Sequence, residues 1–283
     1  MTTSEPLTVV TYNIRAAIGP GAFPPFWWER VDDDRLGRIS GIIADLEPDI
    51  VGLQEVPLMT VGGRVTDMAG DLAHRLGMEA RYGAVHHVTA IDRGSDSAIG
   101  AYTWGNAVLS RGAILEARTV ALPIPADGDL VEPDGSSTAL AGVPFRDVEP
   151  GMREARCALV CSVDDSHGRT HIIATHLAYM GSGQRRAQAE AIATIVGGLE
   201  GRLVLLGDLN APIHATELAP LRGPLVDVFM AMGIPPVDER RRSCGDVAID
   251  HVLVRGFTPL SCRVVTEAGD ASDHWPVVAV LAD

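Results

Sequence analysis

The run Arg202-Leu203-Val204-Leu205-Leu206-Gly207-Asp208-Leu209-Asn210-Ala211-Pro212 carries a structural and a chemical signal together. Four consecutive apolar residues stopped by a glycine predict a strand buried on both faces, because a strand with one wet face alternates. Directly beyond it an Asp-x-Asn pair projects side-chain oxygens from the strand's C-terminal end, a setting that suits a hard cation and a phosphate. Taken alone, such a pair is more often a turn with side-chain capping.

Working outward, the same arrangement of apolar strand and polar stop recurs. Thr8 to Tyr12 leads to Asn13, Ile50 to Gln54 leads to Glu55, and His171 to Thr175 leads to His176. Ser272-Asp273-His274 precedes the last strand-like run, and Asp250 sits within another, Val247 to Val254. Six separated segments thus point polar groups at one place. Carboxylates gathered at neighbouring strand ends repel unless a cation sits among them. Glu55 is the first choice of metal ligand, with Asn13, Asp208, Asn210 and Asp273 completing or positioning the site. All are oxygen donors, which selects magnesium, manganese or calcium over zinc. Two histidines join this set. His274, held by Asp250, would act as a base toward water or as a phosphate ligand, and His176 would donate to a phosphoryl oxygen or to the leaving group. His251, on the other side of its strand, is read as structural.

Size and composition set the bounds. A chain of 283 residues with 46% hydrophobic content is read as a single domain, 1–283, because no Gly/Ser-rich or charged linker divides it. No apolar run approaches the ~20 residues of a membrane span. The N-terminal residues lack a basic start and an apolar signal core, so a cytoplasmic protein is expected. A formal net charge of -14 disfavours tight non-specific binding to nucleic acid. Four cysteines without a Cys-x-x-Cys pair are read as reduced, mostly buried thiols.

The intervening chain supplies helices, strands and loops. Asp33 or Asp34 is expected to cap a helix with an apolar stripe of Leu36, Ile39, Ile42, Ile43 and Leu46, ended by Pro48. A second helix is expected over Asp67 to Leu76, then a strand to Val88, a hairpin loop over Asp92 to Gly100, and strands at Asn106 to Ser110 and Ile114 to Leu122. Trp27 and Trp28 lie in a Gly/Pro-rich loop where they pack locally or line a cleft. A long excursion is expected over 123–151. Arg156 to Val163 and Thr170 to Thr175 read as a hairpin. A helix from Gln184 to Val196 would bury Ala187, Ala191, Ile192 and Ile195, and a short one would cover Leu225 to Met232.

As an ordered set, Thr11-Tyr12-Asn13, Leu53-Gln54-Glu55, Gly105-Asn106-Ala107, Thr175-His176-Leu177, Gly207-Asp208-Leu209-Asn210, Ile249-Asp250-His251 and Ser272-Asp273-His274 resembles the endonuclease/exonuclease/phosphatase superfamily. The resemblance spans nearly the whole chain. It implies a deoxyribonuclease-I-like α+β fold, a four-layer α/β/β/α sandwich of two packed, mostly antiparallel sheets. It also implies a divalent metal, usually magnesium, and hydrolysis of a phosphodiester or phosphomonoester by activated water. Carried over, Glu55, Asn13 and Asp273 belong to the metal, Asp208, Asn210, Asp250, His176 and His274 to catalysis, and Asn106 and Arg156 to the substrate. Either Asp208 or His274 serves as base. A histidine at 176, with the acidic charge, favours a small or lipid-derived phosphoester. The rival readings are a nuclease and a catalytically silent binding protein. Arg240-Arg241-Arg242 is the one basic tract, read as a solvated loop or a phosphate grip.

Overall fold

The computed structural model describes residues 5–21, 31–61, 64–88, 91–92, 98–124, 154–165 and 168–283. In chain order the elements are β1 (Leu7–Asn13), α1 (Asp33–Asp45), β2 (Ile50–Val61), β3 (Arg64–Asp67), α2 (Met68–Leu76), β4 (Glu79–Val88), β5 (Ile91–Asp92), β6 (Ala98–Ser110) and β7 (Ala113–Ala121). There follow β8 (Cys157–Asp165), β9 (Gly168–His176), α3 (Ser182–Gly197), β10 (Arg202–Asp208), α4 (Ala219–Arg222), β11 (Val226–Asp227), α5 (Val228–Ala231), β12 (Asp250–Arg255), β13 (Thr258–Val264) and β14 (Val277–Ala282).

The strands form two sheets. The first runs β13-β14-β1-β2-β6-β4, with β3 on β2 and β5 on β6; the second runs β11-β12-β10-β9-β8-β7. Each sheet holds one parallel pair, β1 with β2 and β9 with β10, among antiparallel neighbours. Alternate residues of the central strands separate three buried clusters. Val9, Val204 and Leu206 join the apolar layer between the sheets, while Val10 meets α1 and α2, and Leu203 and Leu205 meet α3 and α4. Helix, sheet, sheet and helix therefore stack as four layers, the α+β sandwich expected. The double burial of β10 is what its unbroken apolar run required.

Gly52 of β2 faces Leu206 of β10 across the two sheets. A Cβ at residue 52 would sit 2.6 Å from the Leu206 Cβ, so only glycine fits.

Several local expectations shift. Asp32, rather than Asp33 or Asp34, caps α1 through a bond from Asp34 N. β6 begins at Ala98, so 98–100 are strand where a loop was expected, and Thr103 and Trp104 pair with β2 and β4. Val226 and Asp227 pair with β12, leaving a four-residue helix in place of Leu225 to Met232. On α3 the buried face carries Gln184, Arg185 and Gln188 with Ala189 and Ile192, while Ala187, Ala191 and Ile195 are only half-buried. A hydrophobic period places that face wrongly because its polar members are buried to bond backbone. Trp27, Trp28 and residues 125–151 of the expected excursion lie outside the described residues. Among the described residues no helix is long and apolar enough to cross a membrane.

Candidate active site

Strand register brings the polar stops together. In the second sheet Asp208, at the end of β10, pairs with His176 of β9 on one side and Asp250 of β12 on the other. In the first sheet Asn13 of β1 pairs with Gln54, and Glu55 follows. Glu55 occupies a bulge: between Leu53, opposite Ala107, and Val56, opposite Gly105, β2 holds one residue more than β6. Its φ is +56°, a costly conformation for a non-glycine residue. Asn210 likewise has a φ of +50°. Strained backbone thus sits at two positions where the site needs a side chain re-aimed.

The two rows are joined by hydrogen bonds. Asn13 Nδ2 donates to Glu55 Oε1 at 3.0 Å and to Asp208 Oδ2 at 3.0 Å, bridging carboxylates from different sheets. Its Oδ1 accepts from Arg15 N at 3.0 Å. Asn210 N donates to Asp208 Oδ1 at 2.9 Å, and Asn210 Nδ2 lies 2.9 Å from Leu177 O and 2.8 Å from His176 Nε2. His274 Nδ1 lies 2.8 Å from Asp250 Oδ2, and its Nε2 is 3.7 Å from Asp208 Oδ2. Ser272 Oγ donates to Asn13 O at 2.8 Å, tying the loop of Asp273 and His274 to β1.

A cleft of ≈960 Å³ opens over this cluster. Glu55, Arg156, His176, Asp208, Asn210, Asp273 and His274 line it, along with Arg15, Tyr179, Ile249 and residues 244–247. Asn13 and Asp250 are buried next to the groups that they position. Asn106 is buried as well. It donates to Cys157 O at 3.1 Å and borders a narrow crevice with Arg156 and His176.

The charges are set by burial and neighbours. Burial raises the pKa of the Glu55 carboxyl, opposed by the Asn13 hydrogen bond. Burial, then Asp250, raises Asp208 to about 7 against the pull of His274. Burial, Arg156 and His274 hold His176 well below the ordinary histidine value, so its ring is neutral at pH 7. Arg156 NH1 lies 3.2 Å from Nδ1, while Nε2 lies 2.8 Å from Asn210 Nδ2 and 3.3 Å from Asp208 Oδ2; the neutral ring has one N–H and one acceptor nitrogen to share among them. For His274, burial favours the neutral form, but Asp250 and Asp208 together outweigh it and raise the pKa well above the ordinary value. An imidazolium therefore stands beside Asp208.

Some participants carried no readable sequence signal. Arg15 belongs to three consecutive left-handed residues, Arg15, Ala16 and Ala17, with φ of 45°, 49° and 56°. From there its Nε pairs with Asp273 at 3.2 Å while NH1 and NH2 grip Gly19 O and Gly21 O. Glu154 binds Arg156 NH2 and accepts from Tyr179 N at 2.8 Å. Two members of the triple arginine are held by carboxylates. Arg241 is buried against Asp227 at 2.8 Å and over Phe229, and Arg240 is chelated by Asp238. His251 is structural as read: it is buried, with Nε2 2.9 Å from Ala211 O. The cysteines are free, Cys157 and Cys161 buried, Cys244 and Cys262 half-buried.

The sequence profile described as Endonuclease/Exonuclease/phosphatase family matches residues 10–274. Among solved structures, an endonuclease/exonuclease/phosphatase from Beutenbergia cavernae DSM 12333 is similar at 23% identity and TM-score 0.68, covering 98% of this chain and 72% of that one. The human Nocturnin catalytic domain with bound sulfate superposes with a TM-score of 0.65 at 16% identity, covering 98% and 93%. A humanized D. rerio TDP2 gives 0.61 at 15%, covering 98% and 99%. At these identities the solved structures speak for the fold. No curated protein matches the chain.

Proposed function

The chain belongs to the endonuclease/exonuclease/phosphatase family, generally hydrolases of phosphoester bonds, and on that premise we propose a divalent-metal-dependent phosphodiesterase acting on a small or lipid-derived substrate. The observation that carries this reading is the pairing of Glu55, a cleft carboxylate raised by burial with an amide for its hydrogen-bond partner, with a neighbouring Asp208 raised to about 7. The first is a group that a cation would stabilise, and the second is poised to exchange a proton near neutrality.

The donor set fits a hard cation. Glu55 and Asp273 both line the cleft and offer carboxylate oxygens, the chemistry of a magnesium, manganese or calcium site. Asn13 fits a spacer role better than the ligand role expected of it, since its nitrogen faces the carboxylates and its oxygen serves Arg15 N. Asp208, Asp250 and His274 also offer ligand atoms within 4.8 Å of one another. There, however, both ring nitrogens of His274 already face carboxylates, Nδ1 at 2.8 Å from Asp250 Oδ2 and Nε2 at 3.7 Å from Asp208 Oδ2. When bound, the metal supplies charge neutralisation at the phosphoryl oxygens.

The protein groups divide the remaining work. Asp208, oriented by Asn13 and the Asn210 N–H, is assigned as the base toward water. His274, already protonated, is assigned to the phosphoryl group as a cationic donor, fixed by Asp250. His176 is neutral and contributes a hydrogen bond, with Arg156 behind it and in the cleft. Asn106 acts one layer back, through the Cys157 carbonyl beside Arg156.

The nuclease alternative is disfavoured by the net charge of -14 and by an arginine tract of which Arg241 and Arg240 are committed to Asp227 and Asp238. The test is hydrolysis of bis-p-nitrophenyl phosphate, p-nitrophenyl phosphate, p-nitrophenylphosphocholine and a supercoiled plasmid, each with magnesium, manganese or EDTA. Metal-dependent turnover of a small diester supports the proposal, and preferential plasmid cleavage supports the nuclease. No turnover by a folded, metal-binding protein supports the silent binding protein.

A further inference from the structure

Phosphoryl chemistry accounts for the charged lining of the cleft but gives no reason for Tyr179. It is the one Phe, Tyr or Trp among the described lining residues, and it is 43% exposed. An idle surface tyrosine would have a loosely held backbone, and this one is fixed on both sides. Its N–H donates to Glu154 Oε2 at 2.8 Å, and its carbonyl accepts from Arg185 NH1 at 2.9 Å. The preceding N–H, of Ala178, is taken by Gln188 Oε1 at 2.9 Å. Arg185 itself is fully buried, paired with Glu217 at 3.0 Å. The main chain is immobilised from the core while the ring is left at the cleft, where half-buried Val247 offers a second apolar surface. A tyrosine held in this way presents a large, stiff, amphipathic face at small entropic cost on binding.

We propose that Tyr179 determines substrate specificity by stacking on a flat aromatic or heteroaromatic arm of the phosphodiester whose phosphoryl group lies over Asp208 and His274. This rests on the phosphodiesterase reading and narrows it from any small diester to one with an unsaturated ring as substituent. The glutamate and arginine behind the loop hold the Tyr179 backbone, three residues beyond His176.

Calorimetric binding of phenylphosphonate and methylphosphonate, neither of which has a hydrolysable ester, tests it in the presence of magnesium. Wild type is expected to bind the phenyl compound about tenfold tighter, the gain of one aromatic stack with its apolar burial. Tyr179→Ser is expected to bring the two affinities within about twofold while leaving methylphosphonate binding unchanged, which also reports an intact site. Tyr179→Phe is expected to retain the preference. Equal wild-type affinities, or a preference that survives Tyr179→Ser, overturn the assignment of Tyr179 alone. Binding of neither phosphonate overturns the phosphoester reading beneath it.

Discussion

Replacing Glu217 by glutamine tests how much of the site depends on a charge pair outside the cleft. The side chains of Arg185 and Glu217 are 0% and 2% exposed, so neither ion has recourse to bulk water. Two guanidinium nitrogens of Arg185, Nε at 3.2 Å and NH2 at 3.0 Å, share Glu217 Oε1, and NH1 serves the carbonyls of Ala178 and Tyr179. Glutamine keeps an acceptor oxygen of the same shape and removes only the charge. What remains is a buried guanidinium that has lost the charge of Glu217, and breaking such a buried pair costs about 3–5 kcal/mol. The retained acceptor places Glu217→Gln near the lower end, at about 3 kcal/mol, and Glu217→Ala beyond it. For a chain of this size that corresponds to a fall in Tm of roughly 6–12 °C. Urea and thermal unfolding would be followed for wild type, Glu217→Gln, Arg185→Met and the double variant. The double variant should be clearly less destabilised than the sum of the singles, with a coupling energy above about 2 kcal/mol. It should not regain wild-type stability, because the two loop carbonyls still lack their donor. A Glu217→Gln protein within about 1 kcal/mol of wild type, or additive single effects, would refute the reasoning.

Four further expectations follow from the site. Glu55→Gln should weaken magnesium affinity at least tenfold by calorimetry and lower metal-dependent turnover by about 100-fold or more, in line with loss of an electrostatic contact to the transition state; unchanged metal affinity would move the ion elsewhere. Asp250→Asn should lower the His274 pKa, seen as an imidazole titration shifted downward in NMR spectra, and shift the alkaline limb of activity in the same direction. Because folded Asp208 holds its proton up to about 7, against 3.8 for an ordinary aspartate, the native state binds more protons than the unfolded one between these values, and stability in EDTA falls as pH rises through that window. Asp208→Asn removes this contribution, so its stability relative to wild type should climb from about pH 4 to 7, by no more than about 1.4 kcal/mol per pH unit, and level off above; a difference independent of pH would contradict the assignment. Gly52→Val should destabilise the protein by about 1–3 kcal/mol as the inserted side chain drives into Leu206, and unfolding curves matching wild type would show that the sheets can part at no cost.

The portion of this molecule legible in the sequence is the portion governed by short-range rules. β10 is buried on both faces, so its apolar run needs no partner to be recognised, and the residue that ends such a strand falls at the sheet edge by geometry alone. That is why Asn13, His176 and Asp208 stand at strand ends as read, whereas Glu55 sits in a bulge inside β2, which continues to Val61. Gly77, in a left-handed conformation after α2, and Pro48 after α1 ended their helices for equally local reasons. Contacts that depend on register or on strained backbone were hidden. Nothing adjacent to Arg15 announces three left-handed residues that turn its guanidinium toward Asp273. The buried face of α3 escaped because Arg185 and Gln188 look like solvent-facing residues until the loop they hold is in place. Arg241 misled in the same way, since a run of three arginines gives no hint that the middle one lies over Phe229 beside Asp227.

The Gly52–Leu206 contact bears on how such a molecule changes over time. Glu55 stands three residues beyond Gly52 on its strand, and Asp208 two residues beyond Leu206 on the facing one. The gauge of the track between the two carboxylates is therefore laid down in the dry interior, well away from substrate. Loops around the rim are free to drift and try new cargo, because the gauge beneath them does not move with the loops.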